Sequence, residues 1–148
     1  MMKAFLDTNI LLDYGEVRDE FVYAKAIMEL GERGEVELCA SYLSYANMGY
    51  ILRHYPKEEL WSLIKDMREG VNVLPTDSTQ LDEALAYHPV KDYEDLLQYR
   101  CAVEGGCEMI ITNNKRDFLE FCQLPIYTSK EFLLHYFRQK SLVSGSRQ

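Results

Sequence analysis

Apolar residues along this chain fall into short runs separated by longer periodic stretches. Residues 3–6 form a brief apolar run that closes on Asp7-Thr8-Asn9, too short for a helix and suited to a buried first strand. Phe21, Val22, Ala24, Ile27, Met28 and Leu30 recur at spacings near three and four, which predicts a helix over 19–32 stopped by Gly31 to Gly34. Val36 to Ala40 is a second strand candidate, followed by a helix with Ser41 as its cap that runs to about His54. Pro56 opens a further helix that ends at Gly70. Val71 to Leu74 is a β-branched run, and Asp77 with Gln80 caps a helix over 78–86. After His88-Pro89, Asp92 is placed to cap a helix through about Glu104, which Gly105-Gly106 terminates. A strand around Met109-Ile110-Ile111, a short helix near 115–121, a brief strand at Ile126-Tyr127 and a last helix capped by Ser129 and running to about Gln139 complete the series.

Short buried strands alternating with helices are the signature of right-handed crossovers around a parallel sheet. The expected fold is therefore α/β, one domain over 1–140, with residues 141–148 as a flexible tail. In such sheets ligands sit beyond the carboxyl ends of the strands, so polar residues that follow strands are the first candidates for chemistry.

Composition narrows the classes. No stretch approaches the roughly 18 apolar residues of a membrane span, and the N-terminus meets an acid within a few residues where a secretory signal would stay apolar. A soluble, cytoplasmic protein is expected. Cys39, Cys101, Cys107 and Cys122 are isolated from one another and read as reduced core residues, without the paired spacing of a zinc site. The net charge of −8 argues against a broad basic face for nucleic acid, although an acidic pocket that holds divalent cations can still face a phosphodiester.

Three polar groups sit where the crevice should lie. Asp7 ends the first strand, with Thr8 positioned to hydrogen-bond a phosphate or a water and Asn9 to hold the loop; its competing role is a turn or helix cap. Asp92 and Asp95 open a helix whose Leu96, Leu97, Cys101 and Ala102 are apolar, which turns the first turn toward the sheet and Asp95 into the crevice. Thr112-Asn113-Asn114 follows the strand centred on Ile110, with Asp117 three residues on and Lys115 and Arg116 as local phosphate contacts. Asn47 lies in a helix apolar almost all round, with Ser44 one turn before it. Gly49 in the same helix suggests close packing by a neighbouring backbone or by another subunit. Carboxylates converging from separate segments repel one another unless a cation neutralises them, and Mg²⁺ or Mn²⁺ prefers such oxygen ligands and activates water for phosphodiester hydrolysis. Asp7 and Asp95 are the expected inner ligands, with Asp117 orienting a water or a second ion.

At these residues the chain resembles the PIN-domain family of metal-dependent ribonucleases, which includes the VapC-type toxins. The resemblance rests on Phe5-Leu6-Asp7-Thr8-Asn9-Ile10-Leu11-Leu12-Asp13, on Asp92-Tyr93-Glu94-Asp95-Leu96-Leu97-Gln98, and on Ile110-Ile111-Thr112-Asn113-Asn114-Lys115-Arg116-Asp117-Phe118, and spans about residues 3 to 137. It implies a PIN-like (Rossmann-like) parallel sheet flanked by helices and acidic residues around Mg²⁺ or Mn²⁺. It also implies an RNA substrate, an antitoxin that inserts into the active-site groove, and a homodimer. Carried over by position, Asp7 is similar to the first metal ligand, Asp95 to the central one, and Thr112 to the threonine after the late strand. Where many members place an acid two residues later this chain has Asn114, so Asp117 stands in for it. The family's second-motif glutamate is matched by Asn47, as in a subgroup that looks like this chain. The alternative is a PIN-like domain of weak or no activity that binds RNA or protein. A phosphatase with an aspartyl nucleophile fits less well, since Asn9 stands where its second acid belongs, and no glycine-rich nucleotide loop follows the first strand.

Overall fold

A computed structural model describes residues 1–87 and 93–146. Five strands, β1 (Lys3–Leu6), β2 (Glu37–Ser41), β3 (Val71–Leu74), β4 (Met109–Ile111) and β5 (Ile126–Tyr127), form one sheet in the order β3-β2-β1-β4-β5. Every pairing is parallel. The chain winds outward from β1 to β3 and then returns to the other side of β1 to add β4 and β5. The order therefore reverses between β1 and β4, and it is beyond the strand ends at such a switch point that parallel sheets place their ligands.

Alternation along the strands divides the core. Ala4 and Leu6 of β1, Leu38 and Ala40 of β2, and Met109 and Ile111 of β4 face one layer, while Phe5, Cys39 and Ile110 face the other. The first layer is covered by α1 (Thr8–Gly15), α2 (Phe21–Glu32), α3 (Tyr42–Ile51), α4 (Lys57–Arg68) and α7 (Ser129–Ser146). The second is covered by α5 (Ser78–Ala86) and α6 (Tyr93–Glu104) together with Phe118. Helices on both faces of a parallel sheet give the expected α/β/α arrangement. Phe5 is completely buried, and truncation to alanine would cost about 3–5 kcal/mol. The four cysteines are free thiols, and among the described residues no helix is long and apolar enough to cross a membrane.

Local signals explain most boundaries. The Ser41 hydroxyl accepts from Leu43 N–H at 3.0 Å at the start of α3. The Asp77 carboxylate accepts from Gln80 N–H at 3.1 Å at the start of α5, although the Gln80 amide reaches Pro75 and Glu104 instead of closing a capping box. Gly70, at φ +76°, turns the chain from α4 into β3 in a conformation that other residues rarely adopt.

Several expectations are corrected. The segment after Asp7 is helix α1 and not an extended loop, because Ile10, Leu11 and Leu12 bury against the first layer as soon as the strand ends. Residues 115–121 contain only a three-residue 3₁₀ turn, Lys115–Asp117. The last helix is capped by Thr128, not Ser129: Thr128 N–H donates to Glu131 at 2.9 Å and Glu131 N–H donates to the Thr128 hydroxyl at 3.1 Å. That helix continues past Gln139 to Ser146. Among the described residues nothing approaches within 4 Å of a Cβ built on Gly49, so no described backbone accounts for that glycine. Asp92, the expected cap of α6, lies outside the described residues.

Candidate functional site

Asp7 leaves β1 at the switch point. Its backbone occupies the cap position of α1, yet its side chain makes no capping bond. The carboxylate turns instead toward the end of β4, where the Thr112 hydroxyl donates to Oδ2 at 2.8 Å. Thr112 is fully buried and Asp7 is 6% exposed. The Thr112 oxygen also accepts from Asn114 N–H at 3.0 Å, which fixes the hydroxyl proton on the carboxylate. The capping role that competed for Asp7 is thus not the one its side chain plays.

Burial pushes the Asp7 carboxyl up to about 6. The Thr112 bond and the Thr8 N–H lower it in part, whereas the negative charges of Asp117 and Glu94 raise it further. The charged groups that act on this buried acid are themselves acids. An oxygen-rich, electronegative corner of this kind matches the preference of a hard divalent cation.

A second buried network lies behind Asp7. The Thr8 and Ser44 hydroxyls are 2.7 Å apart, and the Gln98 Nε2 amide donates to Ser44 at 2.8 Å and to Thr8 at 3.2 Å. The three residues come from the starts of α1 and α3 and from α6, and all are buried. The amide oxygen of Gln98 is buried without a hydrogen-bond partner among the described residues. Gln98 was absent from the residues singled out by sequence. The signal that marks it is its position among Leu96, Tyr99, Cys101 and Ala102 on the buried side of α6.

The remaining candidates divide by burial. Asp95 is half-buried on the first turn of α6, one turn before Gln98, and Glu94 beside it is exposed. Asn47 is half-buried on α3, and its amide donates to Glu94 at 2.7 Å, so this acid joins the rim of the site. Asn9 lies half-buried in the first turn of α1. Asp117, Asn114 and Arg116 are exposed on and beside the 3₁₀ turn. Lys115 is held by Glu131 at 3.1 Å and does not stand free for a phosphate. Asn113 serves a different purpose: its amide donates to Asp13 at 3.2 Å and accepts from Ser129 N–H at 3.0 Å, tying α1 to the start of α7. Desolvation raises the Asp13 carboxyl, and the Asn113 bond opposes the rise.

Among the described residues no group of three or more carboxylates, imidazoles or thiols is gathered closely enough to hold a metal ion. The expected trio of Asp7, Asp95 and Asp117 is therefore not a closed cage. The reason lies in the elements that carry it, since Asp7 is locked at the carboxyl end of the central strand while Asp117 rides an exposed turn. The donors nonetheless fit a hard cation in kind, being carboxylate, hydroxyl and amide oxygens.

Residues 3–116 match the model of the PIN domain. The chain is 25% identical over 135 residues to the ribonuclease VapC1 of Aquifex aeolicus, covering 88% of this chain and 92% of the relative. Among solved structures it resembles a chain of the VapBC2 structure from Rickettsia felis, bound to a DNA fragment from their promoter. The TM-score is 0.66 at 16% identity, with 86% of this chain and 98% of the other covered. It also resembles a chain of VapBC-1 from nontypeable Haemophilus influenzae, with a TM-score of 0.65 at 21% identity over 87% and 99% of the two chains. With the family model spanning most of the sequence and the switch-point acid in place, the chain belongs to the PIN-domain family.

Proposed function

We propose that this PIN domain is a metal-dependent endoribonuclease that hydrolyses RNA phosphodiester bonds. The observation that carries the reading is the Asp7 carboxylate, buried at the β1/β4 switch point, held by Thr112 and felt by the charges of Asp117 and Glu94. A buried acid in that setting is costly in the folded state and is accommodated by a cation. Asp7 and Asp95 are the proposed ligands of Mg²⁺ or Mn²⁺, with the Asn47 amide able to add a weaker neutral oxygen. When bound, the cation supplies Lewis-acid stabilisation of the developing phosphorane charge and lowers the pKa of water. Thr112 aims the Asp7 carboxylate, the Thr8 hydroxyl is engaged in the buried network with Ser44 and Gln98 and not with the substrate phosphate, and exposed Asp117 orients the attacking water. Arg116, and Lys115 on release from Glu131, provide phosphate contacts.

The ribonuclease relative, and the fold shared with a chain of a toxin–antitoxin complex from Klebsiella pneumoniae, support extending the reading to partners. An antitoxin covering the groove is proposed, together with a homodimer. The exposed Tyr42, Ala46 and Tyr50 of α3, with half-buried Gly49 among them, support the dimer, since Gly49 has open space where a second backbone can approach. A second reading, a PIN domain that binds RNA or protein without cutting, draws on Asn47, Asn114 and the lack of a three-acid set among the described residues.

Mn²⁺ titration of the wild type beside Asp7→Asn tests the pocket. The proposed function requires binding that weakens sharply in the variant; equal affinity in both proteins contradicts it.

A further inference from the structure

The Thr8–Ser44–Gln98 triangle has a property beyond its hydrogen bonds. Each corner stands beside a different candidate ligand: Thr8 follows Asp7 in the chain, Ser44 lies one helical turn before Asn47, and Gln98 lies one turn after Asp95. The three elements that bring those ligands together are therefore joined at one buried polar point, at distances of 2.7, 2.8 and 3.2 Å. A buried glutamine with one amide oxygen unpartnered is an unfavourable choice for stability alone, since leaving such a group unpaired costs about 1–3 kcal/mol.

Proton accounting adds a second consequence. Nε2 carries two hydrogens, one for each hydroxyl, so both Thr8 and Ser44 oxygens act as acceptors toward Gln98. One of the two hydroxyls then donates to the other. A single hydroxyl hydrogen remains outside the triangle, and the amide fixes which groups accept.

The geometry points to Gln98 as the positioning residue of this site: it sets the spacing of Asp7, Asp95 and Asn47 by tying α6 to the starts of α1 and α3. The inference rests on the metal-dependent reading above and assigns Gln98 no contact with substrate. Residues that orient ligands in this way change metal affinity when altered, even where the ligands themselves remain.

The test uses the full chain, with Mn²⁺ binding measured by calorimetry and folding followed by thermal melting. Gln98→Met keeps the length and removes the bonds; Gln98→Glu keeps the length and accepts from one hydroxyl while the second hydroxyl donates to the first, so two of the three sides of the triangle persist. The expected result is a folded Gln98→Met protein whose Mn²⁺ affinity falls about tenfold or more, with most of the loss recovered in Gln98→Glu. If Gln98→Met does not fold, Ser44→Ala, which removes two sides of the triangle, carries the same expectation. Wild-type binding with unchanged affinity in the folded variants overturns the positioning role and leaves the metal reading standing. A loss that Gln98→Glu does not recover assigns it to packing and also overturns the role. No Mn²⁺ binding by the wild type removes the metal reading and the inference with it.

Discussion

Two polar clusters face each other across the switch point, and they are built differently. At the end of β1, Asp7 and Thr8 are buried, and each is fixed by partners from other elements. At the end of β4 only Thr112 is buried; Asn114 and Arg116 are exposed, and Asp117 sits on an exposed 3₁₀ turn. The difference separates precision from adaptability. A carboxylate held in low dielectric has its position and charge set by the fold, whereas one on a short exposed turn can adjust to substrate at little cost in stability.

The largest effect is expected at the rigid cluster. Asp7→Asn should bring RNA cleavage below detection while stabilising the metal-free fold. The folded-state carboxyl is raised from its ordinary 3.8 to about 6, so the folded protein holds this proton more tightly than the unfolded chain. Its destabilising contribution is absent below about pH 3.8, grows as pH rises to about 6, and is constant above that. Melts of the metal-free protein against pH should show the wild type losing roughly 2–3 kcal/mol of stability across that window relative to Asp7→Asn. Parallel curves for the two proteins would contradict the burial of an ionised Asp7.

Asp117→Asn should lower cleavage on the order of 10²-fold, with stability within about 0.5 kcal/mol of wild type. An unfolded or strongly destabilised variant would show that the exposed turn is more structural than its surroundings indicate. Thr112→Val removes the donor to Asp7 and the acceptor of Asn114 N–H, and should cost about 1–3 kcal/mol in denaturant melts. The smallest effect is expected at the rim. Asn47→Glu sets a second carboxylate against Glu94 in place of the 2.7 Å bond, so metal-free stability should fall by up to about 1 kcal/mol. Added Mn²⁺ should then raise the melting temperature more than in wild type; an identical Mn²⁺ response would place Asn47 outside the metal's reach.

The contrast also explains what was legible in the sequence. The strand segments, and Ser41 and Asp77 as caps, could be read because short apolar runs and capping residues act locally. Helix α1 was hidden because Ile10, Leu11 and Leu12 bury consecutively, so no helical period shows, and Asp7-Thr8-Asn9 looks like loop. The switch point could be anticipated only as a crevice at strand ends, since strand order depends on contacts between distant segments. Asp7 and Thr112 were found through their place after strands, but their mutual bond joins residues far apart in the chain. Gln98 was missed because a glutamine within an amphipathic helix ordinarily faces water, and its burial follows from the way α6 meets α1 and α3.

The most direct test of the central claim is cleavage of a mixed panel of structured and single-stranded RNAs with Mn²⁺, comparing wild type, Asp7→Asn and Asp95→Asn purified in parallel. The account predicts cleavage by the wild type that disappears on chelation and in both variants. A folded wild type that cuts no RNA in the panel, and still cuts none after Asn47→Glu, would contradict it and favour a PIN domain that binds without cutting.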